Sequence, residues 1–267
     1  MKISKLNTIN MKKTVLCLMA HPDDAEILSA GTLALLASKG WQVIIATMTP
    51  GQAGSVRLNP EQISTVRRQE ARDSAEVLKG NYHCMESEDV FITYDKPTLL
   101  KVIELFRIVK PTMVITASPS DYMLDHEITS HLAQTACMAA TIPNIITDHS
   151  PIPNVPHLYY ADPIKGKDRL GEKITGNILV NITSVIGVKE EMLCCHKSQR
   201  EWLQQMSGVD EFVIMMKDYS ASVGSPIGVE YAEGFRQHLG FSYPQENLLE
   251  KELGTMVHIH EPLNQEL

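Results

Sequence analysis

The stretch V-L-C-L-M-A-H-P-D-D-A-E, from Val15 to Glu26, constrains this chain more than any other. The six residues from Val15 to Ala20 carry no polar side chain, the pattern of a strand buried on both faces, as parallel sheets require. The run stops at a histidine and, after one proline, two aspartates. In open α/β sheets ligands bind beyond the carboxyl ends of the strands, so His21, Asp23 and Asp24 are expected where topology places chemistry. Neutral imidazole and carboxylate both ligate zinc, and His21 and Asp24, three residues apart across a turn into a helix, can converge on one ion. Asp23 is then left over, a carboxylate able to take a proton from water beside that ion. The plainer alternative is that Asp23 or Asp24 caps the next helix and His21 is only a polar strand end.

Apolar residues from Ile27 to Leu36 recur at helical spacing, and Lys39-Gly40 stops that helix. Val43 to Met48 reads as a second strand. The loop from Thr49 to Asn59, rich in glycine and small polar residues, lets backbone approach a ligand at the same sheet edge. Asn59-Pro60-Glu61-Gln62 is a strong helix start, and the helix is predicted to run to Lys79-Gly80. Within it Arg67 and Glu70 share a face and read as a solvated ion pair. Short strands are predicted around His83 to Met85 and Val90 to Ile92, then a helix over 97–110 and a buried strand over 112–117.

This alternation predicts an α/β fold with a Rossmann-like doubly wound, mostly parallel sheet, in whose common order the first and fourth strands are neighbours. That order sets the loop S-P-S-D-Y-M-L-D-H, Ser118 to His126, opposite His21 and Asp24. His126 then completes a His/Asp/His set with an open position. Asp125 is placed to cap the following helix and to hold the His126 ring or the base in orientation. His131 falls on another helical face and reads as structural.

The proline-rich stretch from Asp148 to Pro156 marks a boundary between a catalytic core over 1–150 and a smaller C-terminal α+β portion over 151–267, which completes the substrate cleft without being independent. Strands are expected at Leu158 to Ala161 and Ile178 to Ile182. A helix from about Ser184 to Met206 would put Lys189, His196 and Arg200 on one face, directed into a cleft or into solvent. Tyr231 to Arg236 combines an aromatic, Glu233 and an arginine beside a glycine, as sugar sites do, or forms a surface turn. His258 and His260 are read as tail residues and not ligands.

A net charge of -8 without a Lys/Arg cluster argues against a nucleic-acid partner. No apolar stretch approaches the roughly 20 residues that cross a bilayer, so no membrane partner is expected. The segment Met1 to Asn10 lacks the apolar core of a signal peptide, and Met11 is an alternative start. Five cysteines without a C-x-x-C suit a reducing, cytoplasmic location.

Together these loops resemble the PIG-L/LmbE-like deacetylases, zinc hydrolases that remove the acetyl group from N-acetylglucosaminyl compounds. H-P-D-D-A-E at His21 to Glu26 matches that family's first motif. Thr49 to Gly54 and Arg67-Arg68-Gln69-Glu70-Ala71 resemble its glycine loop and R-x-x-E helix, and Lys189, His196, Ser198 and Gln199 resemble a K…H-x-S-Q pattern found among its members. The resemblance implies zinc on His21, Asp24 and His126, with Asp23 as base; iron(II) also suits two histidines and a carboxylate. The expected substrate is a small N-acetylated sugar compound, with Arg67, Gln199 and Glu233 as substrate-binding residues, and a homo-oligomer is compatible with this reading.

The second motif departs from the family. Members read H-P-D-H, whereas this chain reads Met123-Leu124-Asp125-His126. Methionine neither donates a proton nor stabilises an oxyanion, so Tyr122 or His196 is the expected replacement. A competing expectation is a metal-containing carbohydrate-binding protein with lost or weak catalysis, and a third is an enzyme of the same scaffold acting on another amide or ester.

Overall fold

The computed structural model describes residues 13–200 and 212–260. The chain alternates strand and helix through β1 (Thr14–Met19), α1 (Asp24–Leu28), α2 (Ala30–Ser38), β2 (Gln42–Thr47), α3 (Pro60–Val77), β3 (Asn81–Cys84), α4 (Lys96–Val109), β4 (Met113–Thr116) and α5 (Leu124–Ala139). It continues through β5 (His157–Ala161), β6 (Ile178–Asn181), α6 (Ile186–Cys194), α7 (Phe212–Gly224), β7 (Ala232–Gln237), α8 (Leu248–Leu253) and β8 (Val257–Ile259). The strands form one sheet in the order β3-β2-β1-β4-β5-β7-β6-β8. From β3 to β5 the pairing is parallel, and β7, β6 and β8 add antiparallel strands to the β5 edge. The residues after 150 therefore extend the same sheet.

Alternation along β1 builds both cores at once. Val15, Cys17 and Met19 face a layer with Leu33 and Leu36 of α2, Met192 of α6 and Leu249 of α8. Leu16 and Leu18 face the other layer, with Phe106 of α4 and Leu132 of α5. Each large apolar side chain so buried is worth about 1.5–3 kcal/mol against exposure, which is why no polar side chain falls between Thr14 and His21. Pairing of Leu18 with Thr116 and of Met19 with Thr47 leaves β1 and its two neighbours ending together. The Thr116 hydroxyl donates to Leu18 O at 2.8 Å, and Thr49 N donates to Ala20 O at 3.0 Å. Three loops are thus pinned at one sheet edge.

The capping box at Asn59 and Gln62 forms as its sequence signals, with Pro60 in the first turn of α3. Elsewhere the chain departs from its pattern. The apolar run after the first motif is interrupted at Ser29 into α1 and α2. Residues around Val90 form a turn, with Val90 at φ 72, and not a strand. The helix expected over 184–206 ends at Cys194, and helix resumes only at 197–200; the expected stretch beyond 200 lies outside the described residues. The segment from Ala232 to Arg236 is strand, not a surface turn, and His258 lies in β8 rather than in a tail. Arg107, 1% exposed, serves the far end of α5: its guanidinium donates to Ala140 O, Ile142 O and Ile145 O. The guanidinium thus ties α4 to the chain that leaves α5, beside the Ile152 and Ile145 N–H groups that Ala140 O and Ile142 O also accept. No helix among the described residues is long and apolar enough to cross a membrane.

Candidate metal centre

The turn after β1 is built around an unusual backbone. Asp23 holds φ 105 and ψ -24, a region that non-glycine residues seldom occupy. Although it stands at the N-cap of α1, its side chain makes no capping hydrogen bond. The helix-cap alternative therefore fails for Asp23. Asp24 turns back instead, and its Oδ2 accepts the His21 N–H at 2.8 Å.

Adjacency of β1 and β4 brings the second loop across. His21 and His126 approach to 5.4 Å between ring centroids. Asp24 sits between them, with Oδ2 3.4 Å from His21 Nδ1 and Oδ1 3.4 Å from His126 Nε2. Ligand atoms of His21, Asp24 and His126 lie within 4.8 Å of one another. The opposite ring atoms face other carboxylates: His21 Nε2 lies 3.0 Å from Asp89 and 3.3 Å from Asp125, and His126 Nδ1 lies 3.0 Å from Asp121. In the neutral rings, carboxylates on the outer nitrogens would hold the protons there and leave His21 Nδ1 and His126 Nε2 to give lone pairs to a cation beside Asp24. His126 Nε2 is buried without a hydrogen-bond partner. An orphaned imidazole nitrogen aimed at a carboxylate fits a divalent cation.

The electrostatics agree. Burial opposes ionisation of Asp24, yet the flanking imidazoles hold its carboxyl well below the usual range. Burial also opposes the charged form of His126, but Asp24 and the Asp121 hydrogen bond push it up to about 10, and His21 rises for the same kind of reason. The site thus draws positive charge, and in the absence of metal protons supply it. Asp23 behaves differently: burial raises its carboxyl to about 7 against the pull of Arg67.

Arg67 is 3% exposed and is not paired with Glu70 in solvent. Its guanidinium donates to Gly51 O at 2.9 Å, Pro22 O at 3.3 Å and Gln199 Oε1 at 2.6 Å, and lies 3.9 Å from Asp23. Gly51, at φ +70, is needed here, since a Cβ would stand 2.2 Å from Arg67 Nη1. Glu70 accepts from the backbone N–H and hydroxyl of Ser198, at 2.8 and 2.5 Å. The R-x-x-E face of α3 therefore grips the S-Q pair.

A cavity of about 660 Å³ opens on this cluster, and Asp23, Arg67, Tyr122 and Gln199 line it with the His/Asp/His set. Tyr122 stands edge-on to His126 with centroids 5.3 Å apart, and Met123 lines the cavity beside it. Asp125 does not cap α5; its Oδ2 faces His21 and accepts Val90 N–H. His196 is 1% exposed and lies behind the cavity wall, 3.3 Å from Glu26 Oε1, which also accepts the Ser74 hydroxyl. Glu233 is 3% exposed and is not among the residues lining the cavity: it accepts from Gly31 N and Thr32 N at the start of α2 and pairs with the fully buried Lys189 at 2.7 Å. The face expected to carry Lys189, His196 and Arg200 together does not form. Asp89 and Asp121 were not singled out from sequence; the signal for Asp89 is a carboxylate just beyond the end of a parallel strand.

Residues 16–137 match the family described as PIG-L, GlcNAc-PI de-N-acetylase. A 4-oxalmesaconate hydratase of Pseudomonas putida is 24% identical over 87% of this chain and 92% of its own length. Diacetylchitobiose deacetylase of Thermococcus kodakarensis is 26% identical over 71% of each. The solved structure of N,N'-diacetylchitobiose deacetylase from Pyrococcus horikoshii, 24% identical, superposes with a TM-score of 0.71 over 88% of both chains. The matched span, which carries His21, Asp23, Asp24, Arg67 and His126, the residues that converge at the sheet edge, is a PIG-L family region.

Proposed function

We propose that this protein is a metal-dependent amidohydrolase that removes the N-acetyl group from a glucosamine-containing substrate, with His21, Asp24 and His126 as ligands and Asp23 as general base. The observation that carries the reading is Asp23: a buried carboxylate, free of any capping role, on a strained turn beside the ligand set, with its pKa near neutrality. Strain of this kind clusters at working sites, and a base poised near the operating pH is the efficient one. Zinc, or iron(II), held by this set would supply Lewis acidity toward the acetyl carbonyl and make water a stronger acid.

Asp23 takes the proton of the attacking water and passes it to the departing amine. Arg67 holds the Asp23 carboxylate in place while tying the first motif to the glycine loop. Tyr122 donates its hydroxyl to the oxygen that gains charge, the task of the family histidine that Met123 replaces. His196, from behind, keeps Glu26 and Asp23 in a polarised environment as a positioning residue. Gln199 reaches the substrate side through Arg67.

Met123, which offers no oxyanion donor, leaves a second reading on the same centre: addition of water to a substrate, as the hydratase name of the Pseudomonas putida relative describes for that protein. Both reactions begin with water activated by Asp23, but only the first breaks a C–N bond. The test is to incubate zinc-loaded protein with N-acetylated sugars and assay freed amine. Release of amine, falling by about 10²–10⁴ in Asp23→Asn, is expected. Absence of amine with every N-acetylated sugar tested sinks the deacetylase reading, and water uptake by an unsaturated carboxylate would then establish the second.

A further inference from the structure

The loop over 162–176 leaves the carboxyl end of β5 and arches over the cavity. It is anchored at both ends and in the middle. Gly176 N donates to Asp162 Oδ2 at 2.6 Å, the Tyr219 hydroxyl donates to Pro163 O at 2.8 Å, and Ile174 N donates to Gly166 O at 2.9 Å. Its tip is locked to the second motif: Arg169 N donates to Asp121 O at 3.1 Å, the Arg169 guanidinium pairs with Glu127, and the Ser120 hydroxyl donates to Asp168 at 3.0 Å. Asp121 is the residue that holds the His126 ring. The loop is therefore registered on a metal ligand.

Two lysines on this loop, Lys165 and Lys167, line the cavity. Lys165 sits at φ 62, where an L-residue other than Asn or Gly is disfavoured by about 1–2 kcal/mol. Among the described residues neither ammonium has a carboxylate within ion-pair distance or a hydrogen-bond acceptor. Asp168, their nearest acidic neighbour in sequence, is spent on Ser120 and on the N–H groups of Leu170 and Glu172. The other lining carboxylates are engaged lower down: Asp24 and Asp89 by the imidazoles and Asp23 by Arg67. The cavity thus has an acidic, cation-seeking floor and a basic lip.

We infer that the substrate carries an anionic substituent, a carboxylate or a phosphate, away from its reacting group, and that Lys165 and Lys167 bind it while the reacting group lies on the His21/Asp24/His126 floor. The inference rests on the reading of that floor as the reaction centre. Ammonium groups supply rotatable charge-assisted donors suited to either anion, and a chain of net charge -8 gains discrimination by keeping two cations, unpaired among the described residues, at one mouth.

The test is calorimetric binding of N-acetylglucosamine, N-acetylglucosamine 6-phosphate and N-acetylmuramate to the zinc-loaded full chain. At low salt at least one anionic probe is expected to bind about tenfold or more tighter than the neutral sugar. The better of the two identifies phosphate or carboxylate as the group. In Lys165→Met/Lys167→Met the ratio of charged to neutral affinity falls toward one, and in Lys165→Glu/Lys167→Glu it inverts. Equal affinities in the wild type, no binding of either anion, or a ratio unchanged in the double variants overturns the inference. Because the readout is binding, it separates from the reaction: lysine-dependent discrimination without amine release leaves this inference standing and removes the deacetylase reading, whereas amine release at equal kcat/KM from charged and neutral probes does the reverse.

Discussion

Asp23, Asp24 and His126 divide the labour at the residue scale through what each carboxylate or ring atom faces. The two ligand-type residues of the first motif were legible because a histidine and two aspartates end a buried strand, a position that costs stability unless the groups are used. Met123 was equally legible as a departure, and it makes a prediction. If amide cleavage is the reaction, Met123→His restores a ring N–H at the cavity wall and raises amine release by about tenfold or more, judged by the worth of a single oxyanion donor. Turnover that does not rise in that variant, measured as freed amine under saturating substrate, would count against position 123 as a place from which an oxyanion donor acts. Asp89 and Asp121 escaped notice because their role depends on which ring nitrogen each meets, and no spacing in one dimension encodes that.

At the scale of elements, the parallel half of the sheet was legible from its buried runs and from the glycine and proline punctuation between them. The C-terminal half was harder. Glu233 sits in a short motif that resembles sugar-binding chemistry, yet its strand lies inside the sheet, where its carboxylate receives the start of α2 and the buried Lys189. An acid there serves the helix N-terminus and a counter-charge together. Glu233→Leu is therefore predicted to destabilise the fold by about 3–5 kcal/mol, since it leaves an ammonium buried and unpaired. Denaturant unfolding measures this, and the surviving folded fraction should keep its KM. A raised KM with unchanged stability would restore Glu233 to the substrate site. Arg67 and Glu70 mislead in the opposite direction: helical spacing suggests a mutual pair, but each reaches across to Gln199 and Ser198 because α3 packs against α6 and the residues that follow it.

For the molecule as a whole, one sheet carries the ligands from its parallel half and the cavity lip from the loop after β5. Asp162, 5% exposed at the root of that loop, links the lip to stability. Burial pushes its carboxyl up to about 6, opposed by the Gly176 N–H and Arg236. The folded state thus holds this proton more tightly than the unfolded chain, and the resulting stability is present below about pH 4 and lost as pH rises through about 6. At roughly 1.4 kcal/mol per pKa unit the difference is about 3 kcal/mol. Asp162→Asn should lack this slope, so that its stability relative to the wild type rises between pH 4 and 7 in denaturant titrations; parallel curves would show that the carboxyl is not buried as described. The central claim, that residues about a hundred positions apart share one cation, is tested most directly by elemental analysis of purified protein dialysed against a divalent metal buffer. One equivalent of metal per chain is predicted in the wild type and in Asp23→Ala, with less than a tenth of that, on the order of a tenfold or greater loss, in His21→Ala and His126→Ala; a full equivalent retained in His126→Ala would contradict it.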